Sequence, residues 1–116
     1  MIANRLLIMA GGLCGAAGVA FSAAAAHSGG ANVSTAASFL LMHAPAFLAI
    51  GLVGGNLVLR LGGGVLLLGV LLFAGDLLMR DYAGTRLFPM AAPAGGTIMI
   101  LGWLVVAASS VWRGSK

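Results

Sequence analysis

LGGGVLLLGVLLFAGDLLMR, residues Leu61–Arg80, decides the fold. Between Arg60 and Arg80 the run carries one charge, Asp76, and is otherwise apolar or glycine. At ~1.5 Å rise per residue, a helix over 61–79 is close to the ~30 Å hydrocarbon thickness of a bilayer. A barrel strand would need alternating polarity over about ten residues, which this run does not show. It reads as a membrane-spanning helix.

The same test applied outward finds three more spans. Upstream, Gly54, Gly55 and Asn56 form a stop signal that closes a span at about 35–55, which Ser34 or Thr35 can cap. Before it, a run at about 6–26 follows Arg5. Downstream, a span at about 93–112 opens at Pro93, a residue suited to the first helical position, and closes near Trp112, an interfacial aromatic. The reading is an all-α membrane protein, a bundle of four transmembrane helices forming one domain over 1–116, with no length left for a water-soluble domain.

Composition agrees. Of 116 residues, 61% are hydrophobic and 7% charged, with a mean hydropathy of +1.12. Soluble domains carry about a quarter charged residues. The net charge of +4 comes from six scattered basic residues, so no basic patch marks a nucleic-acid partner. Cys14 is the sole cysteine, lies in an apolar run and reads as a buried thiol, which excludes an internal disulfide or a multi-cysteine metal site.

An even number of spans puts the N-terminus, the 56–60 link and the C-terminus on one side. That side holds Arg5, Arg60, Arg113 and Lys116, against Arg80 and Arg86 on the other. Positive charge marks the cytoplasmic side, so both termini are expected inside, with connections at 27–32 and 80–92 outside. A basic start, an apolar run and the small residues Ser22 to Ala26 also fit a cleavable signal peptide, which would leave three spans. The length of the first segment suits a full crossing, and retention is the expectation.

Apolar burial does not drive helices together within lipid, so small residues that admit close backbone approach carry the packing. Gly11, Gly15, Gly18 and Ser22 form one stripe of the first helix, and Gly51 with Gly55, Gly62 to Gly64, Gly69, Gly75, Gly95, Gly96 and Gly102 offer similar surfaces on the others. No Lys-Ser or Lys-Thr follows Gly62–Gly64, so these are packing glycines and not a phosphate loop. Pro45 removes a backbone donor inside the second span, and a kink near His43 is expected.

Ionisable groups inside spans are expensive and call for named partners. His43 and Asp76 qualify. Asp76 and Arg80 stand i, i+4 and can pair at the outer interface. Alternatively His27, His43 and Asp76, with Arg80 above, converge on a small wet pocket under the 80–92 connection, able to shuttle protons or bind a cation. A structural hydrogen-bond network is the competing reading. Met42, Met79 and Met90 lie at the same level but lack metal-ligand spacing and read as packing. No nucleophile, base and orienting carboxylate recur at interpretable spacing, and no cofactor motif occurs, so the expectation is no enzyme, no metal and no cofactor.

Several stretches carry a resemblance: GAAGVAFSAAAAH (Gly15–His27), LMHAPAFLAI (Leu41–Ile50) and LLFAGDLLMRDYAGTRLFPMAAPAGG (Leu71–Gly96), followed by Gly102 and Trp103. In this order they resemble the domain of unknown function 423 family of small bacterial inner-membrane proteins, over almost the whole chain. The resemblance implies a multi-pass inner-membrane location and puts His27, His43, Gly75, Pro93, Gly95, Gly96 and Trp103 on motif positions. Met42 stands where the family commonly has Tyr, and Asp76-Leu77-Leu78 where it often has Ser-Leu-Tyr. The functional expectation is an accessory, assembly or scaffolding subunit packing through Gly/Ala-rich helix faces, as a homo-oligomer or within a larger membrane complex. The alternatives are a proton-coupled transporter or channel, or metal or quinone binding, at His27, His43 and Asp76.

Overall fold

The computed structural model describes residues 2–112. Within them the chain forms α1 (Ile2–Ser28), α2 (Ala31–Val53), α3 (Leu57–Tyr82) and α4 (Ala91–Ser109), all long and apolar enough to cross a membrane. In hydrocarbon a backbone must pair with itself, and helices do this within one segment. The helices alternate in direction, so Ile2 and Trp112 lie at one end of a body 47 Å long.

Helix ends differ from the expected 6–26, 35–55, 61–79 and 93–112, for reasons of hydrogen bonding. α1 continues back through Arg5, and α3 back through Arg60, because a long basic side chain at a helix end reaches the interface without breaking the backbone ladder. α2 begins at Ala31, so neither Ser34 nor Thr35 caps it; Thr35 and Ser38 instead bond back to the carbonyls of Ala31 and Ser34. Pro93 is the third residue of α4, where its missing N–H still costs nothing. Met90, the N-cap of α4, holds the entry turn with φ 69°, the one positive φ outside glycine among the described residues. After Ser109 the ladder tightens to i−3 bonds, from Val111 N–H to Ala108 O and from Trp112 N–H to Ser109 O, which ends α4 before Trp112.

Gly54 ends α2 as expected, with φ 75° and its N–H on Ile50 O. Asn56 then caps α3, its Oδ1 accepting from Leu59 N–H, while its Nδ2 donates to Ser109 O at the end of α4. α2 is helical through Pro45.

Close approach organises the molecule into two antiparallel hairpins. In α1–α2, a Cβ on Gly11 would meet Ala44 O at 2.9 Å, one on Gly18 would meet Leu41 Cγ at 2.6 Å, and one on Gly51 would meet Asn4 O at 2.8 Å. In α3–α4, Gly62, Gly69, Gly95 and Gly102 interleave with Val106, Met99, Phe73 and Leu66, and a Cβ on Gly95 would stand 2.6 Å from Phe73 N. These glycines hold the backbones together as expected. Others expected to pack do so less: Gly15 and Gly75 would meet only ordinary contacts at 3.7 and 3.4 Å, and Gly64 and Gly96 would meet nothing within 4 Å. α2 packs on α3 to join the hairpins, around Phe47, Leu66 and Val70, which are fully buried. The backbones of α2 and α4 do not touch among the described residues.

Candidate functional site

The polar groups inside the bundle fall into two sets. In the first, His43 projects from α2 into the space between α2 and α4, at 2% exposure. Its Nδ1 lies 2.9 Å from Phe39 O, and Trp103 Nε1–H donates to its Nε2 at 3.1 Å. An indole nitrogen only donates and a carbonyl only accepts, which fixes the proton on Nδ1 and leaves Nε2 as an acceptor. His43 is therefore neutral in this arrangement, with both ring nitrogens engaged. Phe39, Phe47 and Trp103 surround the ring, with the Trp103 centroid 5.6 Å away.

This bond is a strut between helices whose backbones stand apart. On one side of Trp103 lies a cavity of about 320 Å³ bordered by Phe39, Met42, His43, Phe73, Gly96 and Met99. On the other lies one of about 310 Å³ bordered by Ala46, Ile50, Val53, Leu59 and Val106. Both are almost wholly apolar. Gly96 faces the first, which explains why nothing meets it.

The second set is at the end of the bundle that carries the α1–α2 and α3–α4 connections. Asp76, fully buried on α3, accepts from Arg80 Nη2 at 2.9 Å through Oδ2 and from Leu87 N–H at 2.9 Å through Oδ1. The Ala92 N–H of α4's first turn also faces this carboxylate. Asp76 thus pins the 83–90 connection and the entry to α4, and the expected i, i+4 pair with Arg80 is one part of that latch. Asp81, one turn on, reaches α2: its Oδ2 accepts from Val33 N–H at 2.9 Å and its Oδ1 from Asn32 Nδ2 at 3.0 Å. It supplies to α2 the N-terminal cap that Ser34 and Thr35 do not. A polar surface cavity of about 320 Å³ borders Asp81, Tyr82, Gly30 and Val33.

The expected convergence of His27, His43 and Asp76 does not form. His27 is exposed at the last turn of α1 and makes no side-chain hydrogen bond among the described residues. His43 spends both nitrogens on Phe39 and Trp103, and Asp76 spends both oxygens on Arg80 and Leu87. Distance along the helices separates them, since His43 sits well down α2 while Asp76 lies near the C-terminal end of α3. Among the described residues no three His, Cys, Asp or Glu side chains gather as a metal site would require. Asp81 and Trp103 are the participants that the sequence did not single out as site residues.

The family profile described as "Protein of unknown function (DUF423)" matches residues 14–96, well over half of the chain, and the chain belongs to that family. A UPF0382 membrane protein of Staphylococcus haemolyticus is 28% identical over 116 residues, covering 91% of this chain and 95% of its own. A UPF0382 membrane protein of Staphylococcus epidermidis is 30% identical over 73 residues, covering 61% of this chain and 60% of its own. One from Staphylococcus saprophyticus is 29% identical over a similar stretch. No solved structure gives a significant match. The chain is a multi-pass membrane protein, and its relatives are named bacterial membrane proteins.

Proposed function

We propose that this member of the DUF423 family is a non-catalytic membrane subunit that works by packing against other membrane helices, as an accessory, assembly or scaffolding component. The observation that carries this reading is the internal use of its polar groups. His43, Asp76 and Asp81 all act as struts or caps between helices, so none is left in the membrane interior to relay protons or coordinate an ion. A conduit needs ionisable groups facing a wet path. A scaffold needs a rigid body, which interleaved glycines and side-chain caps supply.

The outward face of α1 supports assembly. Gly12, Ala16 and Ala20 stand four apart and exposed, and a Cβ on Gly12 would meet nothing within 4 Å in this chain. Small residues at that spacing let a second helix approach in lipid. Both termini face the cytoplasm in this proposal, because Arg5 and Arg60, together with Arg113 and Lys116 beyond the described residues, outnumber Arg80 and Arg86 on the other side. Native mass spectrometry from mild detergent tests the reading. The expected result is a homo-oligomer or a heteromeric complex that Gly12→Leu weakens; a monomer without partners in both proteins would refute it.

A second reading rests on the apolar cavities on either side of Trp103, whose walls suit an apolar ligand of quinone type. Extraction of purified protein, followed by lipid-phase chromatography, would reveal a stoichiometric bound quinone, and none would remain if the reading is wrong.

A further inference from the structure

The inner end of the molecule carries positive charge without acidic partners. The chain has only two acidic side chains, Asp76 and Asp81, and both are engaged at the outer end. At the inner end Arg60 Nη1 donates to the carbonyls of Gly54 and Gly55 at 3.0 and 3.3 Å, which fixes the guanidinium against the end of α2. No acidic side chain is left within this chain to balance it.

Arg60 borders a slot of about 210 Å³ between α1 and α3, whose other walls are Ala3, Leu6, Leu7, Gly64 and Leu67. The two helices run parallel and both begin at this end. At ~1.5 Å per residue, Gly64 lies about 6 Å and Leu67 about 10 Å deeper than Arg60. Arg60 therefore borders the slot nearest the helix starts, and the walls deeper than it are apolar. Leu7 lines the slot and packs on α3, where a Cβ on Gly63 would stand 3.2 Å from it. Gly64 opens onto the slot, and a Cβ there would meet nothing within 4 Å. Glycine is a poor helix former, and no neighbour in this chain requires one at this position.

We propose that the α1–α3 slot is a binding site for an anionic phospholipid, with the phosphate on Arg60 and one acyl chain lying along Leu6, Leu7, Gly64 and Leu67. Basic pockets between helices on the cytoplasmic side of a membrane suit such headgroups. Net negative charge is selected because the whole inner end is cationic, with Arg5 on the same level. A zwitterionic lipid presents a phosphate too, but brings a second cation to a site already rich in them.

The test is retention of lipid by the full chain, taken from nanodiscs containing equal phosphatidylglycerol and phosphatidylcholine into native mass spectrometry. The expected result is one retained phosphatidylglycerol with roughly five-fold preference over phosphatidylcholine, the factor given by one surface charge. Arg60→Gln is expected to abolish the preference and Arg60→Lys to keep part of it. Gly64→Leu, which fills the slot, is expected to lower retention of both lipids several-fold, with helix content by circular dichroism unchanged. Inorganic phosphate at millimolar concentration is expected not to displace the lipid. Equal retention of the two lipids by the wild type, undiminished preference in Arg60→Gln, or displacement by free phosphate would each overturn the proposal.

Discussion

Replacing Trp103 by Phe removes one N–H and leaves an aromatic ring in place. The loss strands His43 Nε2, which is 2% exposed and surrounded by Phe39, Phe47 and Trp103. A buried acceptor left without its donor costs about 1–3 kcal/mol in water-soluble proteins. Within membranes, hydrogen bonds between helices average about 0.6 kcal/mol and reach about 1.7. This bond crosses between helices whose backbones do not touch, so little else compensates at that level. Trp103 is 43% exposed, so the smaller ring forfeits modest packing. The expected destabilisation is therefore about 1–2 kcal/mol, near the upper part of the membrane range. A double-mutant cycle isolates the bond: Trp103→Phe, His43→Leu and the pair, each unfolded reversibly by steric trapping in bicelles. The predicted coupling is about 0.6–1.7 kcal/mol. Nitrogen NMR of labelled histidine gives an independent check, with a protonated Nδ1 and a bare Nε2 in the wild type. Zero coupling, or the opposite tautomer, would refute the strut.

Asp76→Asn is expected to destabilise by about 2–3 kcal/mol, below the ~3–5 typical of a broken buried pair because Arg80 keeps 27% of its side chain exposed. Hydrogen exchange should then rise across 83–90, at Leu87 first. Asp81→Ala removes the cap of α2 and is expected to cost about 1 kcal/mol, read as faster exchange at Asn32 and Val33. Gly95→Ala drives a Cβ to 2.6 Å from the Phe73 backbone and should cost about 1–3 kcal/mol, whereas Gly96→Ala meets nothing and should be neutral or stabilise by up to about 1 kcal/mol. Thermal unfolding of the two neighbours side by side checks the contrast. For orientation, in a Cys14→Ala background a cysteine at Ser28 should react with impermeant maleimide on intact cells, and one at Val111 only after permeabilisation.

The spans were legible because each is a continuous apolar run of bilayer length, a signal that belongs to the segment alone. The Asp76–Arg80 pair was legible for the same reason, since i, i+4 spacing on a helix fixes a shared face. What escaped depends on contacts between segments. The start of α2 is set by Asp81, 48 residues away, so local capping rules pointed to Ser34 and Thr35. The partner of His43 is Trp103, 60 residues on, and only its motif position drew attention to it. His27, His43 and Asp76 looked convergent because all lie toward the end of the bundle that carries the α1–α2 and α3–α4 connections. Depth alone says nothing of which face each presents, and the folded bundle separates them. Gly95 and Gly96 are indistinguishable in sequence, yet one touches the Phe73 backbone and the other opens on a cavity.

On the proposed reading, the polar groups within the membrane serve structure and not passage. Proton and cation flux into liposomes carrying the purified chain tests it most directly, comparing wild type with His43→Ala and Asp76→Asn. The account predicts flux equal to that of protein-free liposomes in all three. Flux through the wild type that either substitution abolishes would contradict it.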